Sequence, residues 1–227
     1  MSLLLVRHGQ AAFASEDYDS LSDLGHEQAR RLGQWLARHR RGFDVVIHGG
    51  MRRHRATLDA LLGELPGSPP ARVDPRLAEF DHGAVFGAYL AAAPDHPGAA
   101  AMRERRLDAG LAIMDFLRAA LRAWQSGGLD CGGESWSAFS TRCRAAGRDL
   151  AALAADGAEV LVISSAGTIA QITAYALDVP DARSVELNLT LRNSAFCELQ
   201  PTGDTVLLTA WNHLPHLADA RELWTYL

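Results

Sequence analysis

The sequence predicts an α/β fold, a three-layer α/β/α sandwich with a mainly parallel sheet. Apolar runs at residues 3–6, 45–47 and 160–163 end in polar residues or glycines, a pattern typical of buried strands. Stretches with helical spacing of apolar residues separate them. This alternation favours a parallel sheet covered by helices on both faces. We expect residues 1–227 to form a single domain, because no linker or internal repeat interrupts them.

The first helix is predicted over residues 24–39. Ser22 is a good N-cap, and Asp23 places a negative charge beside the positive end of the helix dipole. Basic residues occupy the last turn, and Gly42 ends the helix.

Later elements continue the alternation. Pro and Gly in residues 63–71 indicate a connector, and the Ala/Leu/Arg-rich residues 84–126 indicate a helical excursion or lid. The remaining predicted elements are a helix from about residue 51, a short strand at 72–77, helices at 134–153 (capped near Ser135) and 166–177, and late strands at 185–199 and 205–211.

The composition is that of a folded protein. With 227 residues, 48% of them hydrophobic and 22% charged, the chain is long enough for a sizeable core. A net charge of −5 argues against a nucleic-acid partner. No apolar run approaches the roughly 18 residues of a membrane span. Because the N-terminus also lacks a basic stretch before an apolar one, we expect no membrane partner and a cytoplasmic location.

All 22 basic residues are arginines. The chain therefore has no Schiff-base lysine, no Walker-A lysine and no lysine general base, so chemistry on anions must use Arg, His and backbone amides. Cys131, Cys143 and Cys197 are far apart and odd in number, which favours core packing over disulfides or a zinc site.

Arg7, His8 and Gly9 directly follow the first apolar run. Open α/β sheets bind ligands at the carboxyl ends of their strands. An Arg fork suits phosphate or carboxylate, a His nitrogen can attack or transfer a proton near neutral pH, and Gly allows close approach to the backbone. On this pattern alone, a strand followed by a surface Arg and His remains an alternative.

Basic residues also open the second predicted helix. Arg52, Arg53 and Arg55 are electrostatically unfavourable there unless an anion is bound. A solvated patch remains an alternative for Arg52 and Arg55, which lie on different faces from Arg53. The loop at residues 79–83 holds two carboxylates and His82, whose role the sequence leaves open.

Five groups of residues stand in one order along nearly the whole chain. They are Arg7-His8-Gly9-Gln10; Leu21-Ser22 with Gly25, Gln28 and Ala29; Arg53 with Thr57; Leu77 and Glu79 before Gly83 and Gly87; and Gly133-Glu134-Ser135 before Arg142. As a set they resemble the histidine phosphatase superfamily, whose best-known members are the cofactor-dependent phosphoglycerate mutases and the acid phosphatases.

The resemblance implies a phosphoglycerate mutase-like sandwich in which a histidine is phosphorylated. It makes His8 the nucleophile, Arg7 and Arg53 the phosphate clamp, and Glu79 the proton donor to the leaving oxygen. Phosphoryl transfer relies on positioning and cationic stabilisation, which these residues supply. No metal and no organic cofactor is required.

The sequence also departs from the family pattern. A second pocket histidine is usual in a Ser-His-Gly-Gly context, and Ser165 stands at its place. Loss of one charged donor is expected to cost on the order of 10²–10³ in rate. We expect Ser165 to bind phosphate beside the backbone amides of Ala166 and Gly167. The usual Ser-Ser-Pro is His48-Gly49-Gly50, and Ala14 or Ser15 replaces a usual Asn.

Other side chains are candidates for accessory roles. His48, and His213 or His216, are possible replacements for the missing imidazole, and Gln10 is a further accessory residue. An ordinary loop hydrogen bond is an equal alternative for His48. We predict His26, His39, His54 and His96 on the surface. Four aromatic residues are candidates for a leaving-group pocket, although packing under a lid is favoured for them: Phe13, Tyr18, Phe86 and Tyr89.

The favoured function is a phosphatase that acts on a small phosphomonoester through phosphorylated His8. One alternative is a protein that binds a phosphorylated ligand with little turnover, which the serine at position 165 motivates. A phosphoglycerate mutase-type phosphotransferase is another. A serine hydrolase using Ser164 or Ser165 is weakly supported, because G-x-S-x-G is absent. The sequence does not indicate the substrate or the oligomeric state.

Overall fold

The computed structural model describes residues 1–12, 19–39, 41–104, 110–203 and 205–226. Within these ranges, six strands form one sheet: β1 (Leu3–Arg7), β2 (Val45–His48), β3 (Arg72–Val73), β4 (Val160–Ser164), β5 (Phe196–Thr202) and β6 (Thr205–His213). Their order is β3-β2-β4-β1-β5-β6. The first four strands in this order pair in parallel, whereas β5 runs antiparallel to both β1 and β6. The predicted α/β class is confirmed.

Helices connect the strands. They are α1 (Asp23–Arg38), α2 (Arg52–Leu62), α3 (His82–Ala92), α4 (Ala99–Arg103), α5 (Leu111–Gln125), α6 (Trp136–Ala155), α7 (Ala166–Ala176) and α8 (Ala182–Thr190), with short 3₁₀ turns at Pro75–Leu77, Pro215–Leu217 and Arg221–Leu223. The side chains of Ser22 and Ser135 cap α1 and α6, as predicted. In the described ranges, no helix is long and apolar enough to cross a membrane.

The two faces of the sheet bury different helices. Leu32 and Leu36 of α1 and Leu58 and Leu61 of α2 pack on one face, against alternate residues of β1, β2 and β4. The other face packs against α6 and α7. This arrangement follows from strand geometry, because successive side chains of a strand point to opposite faces.

A third cluster lies beside the sandwich. It joins α4 and α5 through Ala99, Ile113, Phe116 and Leu117, and Phe86 and Leu189 pack against it from α3 and α8. Elements α3, α4 and α5 correspond to the helical excursion predicted at residues 84–126.

Two predicted strands are partly wrong. Residues 182–190 form α8, and the strand begins only at Phe196. Val185 and Leu189 are four residues apart on one helical face, and Glu186 accepts hydrogen bonds from Arg118 and Arg122 of α5. The strand predicted at 72–77 covers only Arg72–Val73, since Pro75, which lacks an N–H, starts a 3₁₀ turn.

Candidate active site

The candidate site lies where β1, β2 and β4 end. Arg7 pairs with Ser164 across the two central strands, so the residues that follow them, His8 and Ser165, lie side by side at the carboxyl edge of the sheet. A cavity of about 660 Å³, counting the part that opens to solvent, covers this edge. Its floor contains five residues singled out from the sequence: Arg7, His8, Arg53, Glu79 and Ala166.

The hydrogen bonds of His8 define its tautomer. Nδ1 lies 2.7 Å from the carbonyl oxygen of Gly9, which can only accept, so Nδ1 carries the proton. Nε2 accepts a hydrogen bond of 3.3 Å from Nε of Arg53. The lone pair therefore resides on Nε2, where it accepts from Arg53, and Nε2 rather than Nδ1 is the nitrogen with a lone pair for attack on phosphorus.

His8 is held in its neutral form. Burial lowers its pKa well below the ordinary value, and the positive charges of Arg53 and Arg7 lower the pKa further. A neutral imidazole is the nucleophilic form, so these contacts favour reaction near and below neutral pH.

Arg53 is positioned by a residue that the sequence did not single out. Its Nη1 donates to Oδ1 of Asp19 at 2.8 Å, and Oδ2 of Asp19 accepts from the backbone N–H of Arg52 at 2.9 Å. The Arg53 side chain is only 3% exposed, and that of Asp19 is 33% exposed. Asp19 therefore offsets the basic start of α2, where an anion was expected. Arg7 in turn donates from Nη1 to the carbonyl of Leu191.

Glu79 lies over the N-terminus of α7. Its Oε2 accepts from the backbone N–H of Gly167 at 2.9 Å, and Oε1 accepts from that of Phe80 at 3.2 Å. A Cβ at position 167 would lie 2.5 Å from Oε1, so only glycine allows this approach. Burial raises the pKa of Glu79, although these hydrogen bonds and Arg53 act in the opposite direction. The carboxyl group is thus suited to carry a proton.

The glycines of the opening motifs bring α1 against the turn that follows β1 and carries His8. A Cβ on Gly9 would lie 2.3 Å from the carbonyl oxygen of Gly25, and one on Gly25 would lie 2.2 Å from that of Gln10. Thr57 accepts from the N–H of Gly9 at 3.0 Å, and Gln28 accepts from the N–H of Gln10 at 2.9 Å. The family-like residues on α1 and α2 therefore fix the backbone around His8.

The prediction that His54 lies on the surface is wrong. This side chain is completely buried, its ring centroid lies 5.7 Å from that of His8, and its Nε2 lies 2.7 Å from Oγ of Ser165. The position was missed because a histidine one residue after a basic pair is typical of a solvated helical face, whereas α2 turns this face toward β4. Ser165 itself is 1% exposed, and its hydroxyl contacts His54.

The other histidines lie in different places. His48 is buried, and its Nδ1 accepts from the N–H of Gly50 at 3.1 Å, the loop hydrogen bond considered as the alternative. His213 is exposed and packs its ring against Phe196 at 5.1 Å. His216 is buried against Ser194. Neither His48, His213 nor His216 is among the described residues that line the cavity.

Further candidates are distributed around the site. His82 lines the cavity, and burial followed by the charge of Arg53 lowers its pKa to about 4. The side chain of Gln10 accepts from the Ser22 hydroxyl at 2.9 Å and thereby ties the turn after β1 to the start of α1. Of the four aromatic candidates, Phe86 lines the cavity and Tyr89 packs on Phe116. Phe13 and Tyr18, like Ala14 and Ser15, lie outside the described residues.

The described ranges contain no group of three or more His, Cys, Asp or Glu residues that could hold a metal ion. Of the three cysteines, Cys143 and Cys197 are buried, where desolvation raises the pKa of each thiol to about 12. They lie within the main core cluster, as the composition indicated.

The mixed sheet and the floor of arginines, histidine and glutamate define an α/β enzyme with an anion-binding site at the carboxyl ends of its strands. The chain belongs to the histidine phosphatase superfamily (branch 1), whose family model matches residues 3–214.

Two curated relatives are 2,3-bisphosphoglycerate-dependent phosphoglycerate mutases from two strains of Methylorubrum extorquens. Each is 32% identical over 111 residues, which cover 46% of this chain and 52% of the relative. The match thus spans about half the length of these curated relatives.

Solved structures resemble the chain over nearly its whole length. A mycobacterial glucosyl-3-phosphoglycerate phosphatase in complex with inorganic phosphate has a TM-score of 0.63 at 23% identity and covers 96% of this chain and 99% of its own. The alpha-ribazole phosphatase from Shigella flexneri has a TM-score of 0.63 at 19% identity and covers 94% and 96%. At these identities the likeness shows the shared fold.

Proposed function

We propose that the protein is a phosphatase that transfers a phosphoryl group from a small phosphomonoester to His8 and then to water. The observation that carries this proposal is the neutral His8 with its lone pair on Nε2, set among Arg7, Arg53 and a carboxyl group of raised pKa. The proposed chemistry needs no metal and no organic cofactor, because each proton and charge has a partner among these side chains.

In the first step, Nε2 of His8 attacks phosphorus while the bond from phosphorus to the leaving oxygen breaks. Glu79 gives its proton to that oxygen, and the alcohol departs. In the second step, Glu79 as carboxylate takes a proton from water, and the oxygen of that water attacks the phosphorus. The P–N bond breaks, phosphate leaves, and His8 and Glu79 return to their starting forms.

The phosphoryl oxygens carry the charge in both steps. We assign Arg7 and Arg53 to hold them, together with Ser165 and the N-terminus of α7 at Ala166. Preorganised donors of this kind supply most of the stabilisation in phosphoryl transfer, since the protein performs little covalent chemistry beyond the attack by His8.

Two other functions remain as alternatives. A protein that binds a phosphorylated ligand without turnover would keep the arginines but would have no need of a histidine tautomer suited to attack. A mutase has to rebind its phosphorylated product and return the phosphate. Arg7 and Arg53 are the only cations among the described residues that line the cavity, which disfavours rebinding of a phosphorylated product that carries a second anionic group.

The deciding experiment is hydrolysis of phenyl phosphate in the presence of a metal chelator. We expect wild-type turnover to fall by on the order of 10³-fold or more in His8→Ala, because the nucleophile is lost. The matched control is His26→Ala, an exposed histidine on α1, which should keep wild-type activity. Equal activity in wild type and His8→Ala would refute the proposal. If the wild type binds phosphate but shows neither turnover nor phosphorylation of His8, the alternative of a binding protein is favoured.

We further propose a cytoplasmic location and a small phosphorylated molecule, rather than nucleic acid or membrane, as the partner. The net charge of −5 supports the choice of a small molecule over nucleic acid, since an acidic chain repels polyanions.

A further inference from the structure

The cavity changes in character above its floor. Its walls are formed by six apolar side chains: Phe80, Phe86, Met114, Leu117, Leu121 and Leu189. Phe80, Leu117 and Leu121 are also fixed in the core, with exposures of 5%, 5% and 1%.

The wall is held in place by packing and by charge. Met114, Leu117 and Leu121 lie at intervals of three and four residues along α5, so they share one face of that helix. Arg118 and Arg122 of α5 form ion pairs of 3.0 and 2.8 Å with Glu186 of α8. Four of the six side chains, those on α5 and α8, therefore belong to a braced pair of helices.

The wall offers little to a second charged group on a ligand. Among the described lining residues, the cations are Arg7 and Arg53, both at the floor. Apart from His8 and Glu79, the other polar lining residues are His82, Asn188 and Tyr226, and His82 is neutral above a pH of about 4. A carboxylate or second phosphate on the ligand would lose its hydration against apolar carbon, which is costly.

We propose that this wall is a leaving-group subsite that selects phosphomonoesters of apolar alcohols over esters that carry a second anionic group. This proposal rests on the phosphatase function proposed above. Burial of apolar surface against the wall supplies the binding free energy, and the floor holds the phosphate.

The first test measures binding without turnover. The dissociation constants of n-alkylphosphonates from ethyl to hexyl are measured by calorimetry. We expect each methylene to lower the constant by up to about fourfold, the value for full burial of one CH₂. A dissociation constant that does not change with chain length would overturn the subsite.

The second test is a variant that should shift the ligand preference from apolar to carboxylated phosphonates. Met114→Arg should weaken hexylphosphonate binding at least tenfold and strengthen binding of a carboxylated phosphonate. Leu111→Arg is the matched control, because Leu111 is on the same helix, is 84% exposed and does not line the cavity. Equal effects of the two variants would contradict the subsite.

The two proposals fail in different ways. If the phosphonate series binds as expected but no phosphomonoester is hydrolysed, the phosphatase function fails and the subsite stands. If aryl and alkyl phosphates are hydrolysed no faster than 3-phosphoglycerate and the phosphonate series is flat, the subsite fails and the phosphatase stands.

A second inference concerns His54 and rests on separate observations. The ring is completely buried beside His8 and its Nε2 lies 2.7 Å from Oγ of Ser165. A Cβ on Gly49 would lie 2.7 Å from Nδ1 of His54 and 2.3 Å from the carbonyl oxygen of Leu77. Two of the departures from the family pattern, Gly49 and Ser165, therefore both lie against His54.

The proton of His54 can be placed by its neighbours. Nδ1 is buried and has no hydrogen-bond partner in the described part of the chain. A buried N–H without an acceptor is rarer than a buried acceptor without a donor, so the proton belongs on Nε2. Nε2 then donates to Oγ of Ser165, and the Ser165 hydroxyl keeps its own proton for another acceptor.

The geometry points to His54 as a positioning residue that orients the Ser165 hydroxyl toward a phosphoryl group on His8. The backbones of Ser165 and His8 lie side by side because the residues before them, Ser164 and Arg7, are paired across β4 and β1. Ser165 itself is not among the described residues that line the cavity, so its hydroxyl depends on a neighbour for its orientation. The His54–Ser165 pair would thus take the place of the second pocket imidazole.

The test uses two variants of similar volume. His54→Gln keeps an N–H donor near Ser165, and His54→Leu does not. We expect the Leu variant to lose about 10- to 100-fold in kcat/KM for phenyl phosphate and the Gln variant to retain most activity. In a Ser165→Ala background, His54→Leu should cost little more, because the two residues act as one unit. Equal losses for Gln and Leu, or losses that multiply, would overturn the role.

A double variant that moves the imidazole from position 54 to position 165 gives an independent test. His54→Ala combined with Ser165→His frees the space beside β4 and moves the ring to the strand end. We expect this double variant to be at least tenfold more active than His54→Ala alone and to show a new ionisation in its pH–rate profile. If the double variant folds but is no more active than His54→Ala, the proposal that the His54–Ser165 pair replaces the second pocket imidazole is contradicted.

Discussion

His8 and Glu79 are titratable groups whose pKa values are shifted in the directions that their proposed roles as nucleophile and proton donor require. Burial and two arginines lower the pKa of His8, and burial raises the pKa of Glu79. The reactive state has His8 neutral and Glu79 protonated. This state is lost as pH falls through the pKa of His8 and as pH rises through that of Glu79, so we expect a bell-shaped pH–rate profile whose basic limb reports Glu79.

Glu79→Gln tests the role of this proton. The variant cannot protonate a leaving oxygen, so kcat/KM for an alkyl phosphate should fall by about 10²–10⁴. The kcat/KM for a nitrophenyl phosphate, whose leaving group needs no proton, should fall far less. In the pH–rate profile of the variant, the decline at high pH that we attribute to Glu79 should vanish. Equal losses for both substrates would show that Glu79 acts only through binding.

At the residue scale, five residues singled out from the sequence line one cavity, because local motifs encode their positions. Arg7, His8, Arg53, Glu79 and Ala166 each lie within two residues of the end or start of an element, and parallel strand ends meet at one edge. The roles assigned to them stay predictions until tested by activity.

Local motifs did not predict the contacts between residues that are far apart in the chain. Asp19 meets Arg53 across 34 positions in the chain, and His54 meets Ser165 across 111. Neither residue stands in a local pattern that distinguishes it from a polar loop or a solvated helix face.

At the element scale, α1 approaches the turn after β1 so closely that no Cβ fits at Gly25. Gly25→Ala would place a Cβ 2.2 Å from the carbonyl oxygen of Gln10, and backbone on both sides leaves no flexible group to move. We expect a loss of about 1–3 kcal/mol in the free energy of unfolding, measured by denaturant titration. Gly42→Ala is the control, since nothing lies within 4 Å of its Cβ position; a similar loss there would remove the steric explanation.

The helix at Ala182–Thr190 shows why one element was mispredicted. Its sequence contains Val, Leu and Thr, which occur in strands and helices alike, and the strand that follows is real. Contacts of Val185 with the core and of Glu186 with α5 decide the outcome, and both depend on elements far away in the chain.

At the scale of the whole molecule, buried neutral histidines couple the stability of the fold to pH. His216 contacts Ser194 at 2.9 Å, and the backbone N–H of Ser194 donates to the carbonyl of His8 at 3.1 Å. Burial lowers the pKa of His216 to about 3. The unfolded chain takes up this proton near the ordinary value of 6.5, so acid favours unfolding.

His216→Gln should remove this dependence. Relative to the variant, the wild type should lose about 2 kcal/mol of unfolding free energy between about pH 7 and 5, where only its unfolded state gains the proton. Denaturant titrations at both pH values give the difference, with His26→Gln as an exposed control. A difference between wild type and His216→Gln that is the same at both pH values would show that His216 is not held neutral.

The central claim is that His8 becomes phosphorylated during turnover. The most direct measurement mixes the enzyme with phenyl phosphate, quenches it within one turnover, and locates bound phosphate by mass spectrometry under alkaline conditions that preserve phosphohistidine. We expect phosphate on His8, formed at least as fast as steady-state turnover and lost once the substrate is exhausted. Turnover without any phosphorylated His8, or phosphate on another residue such as Ser165, would contradict the claim.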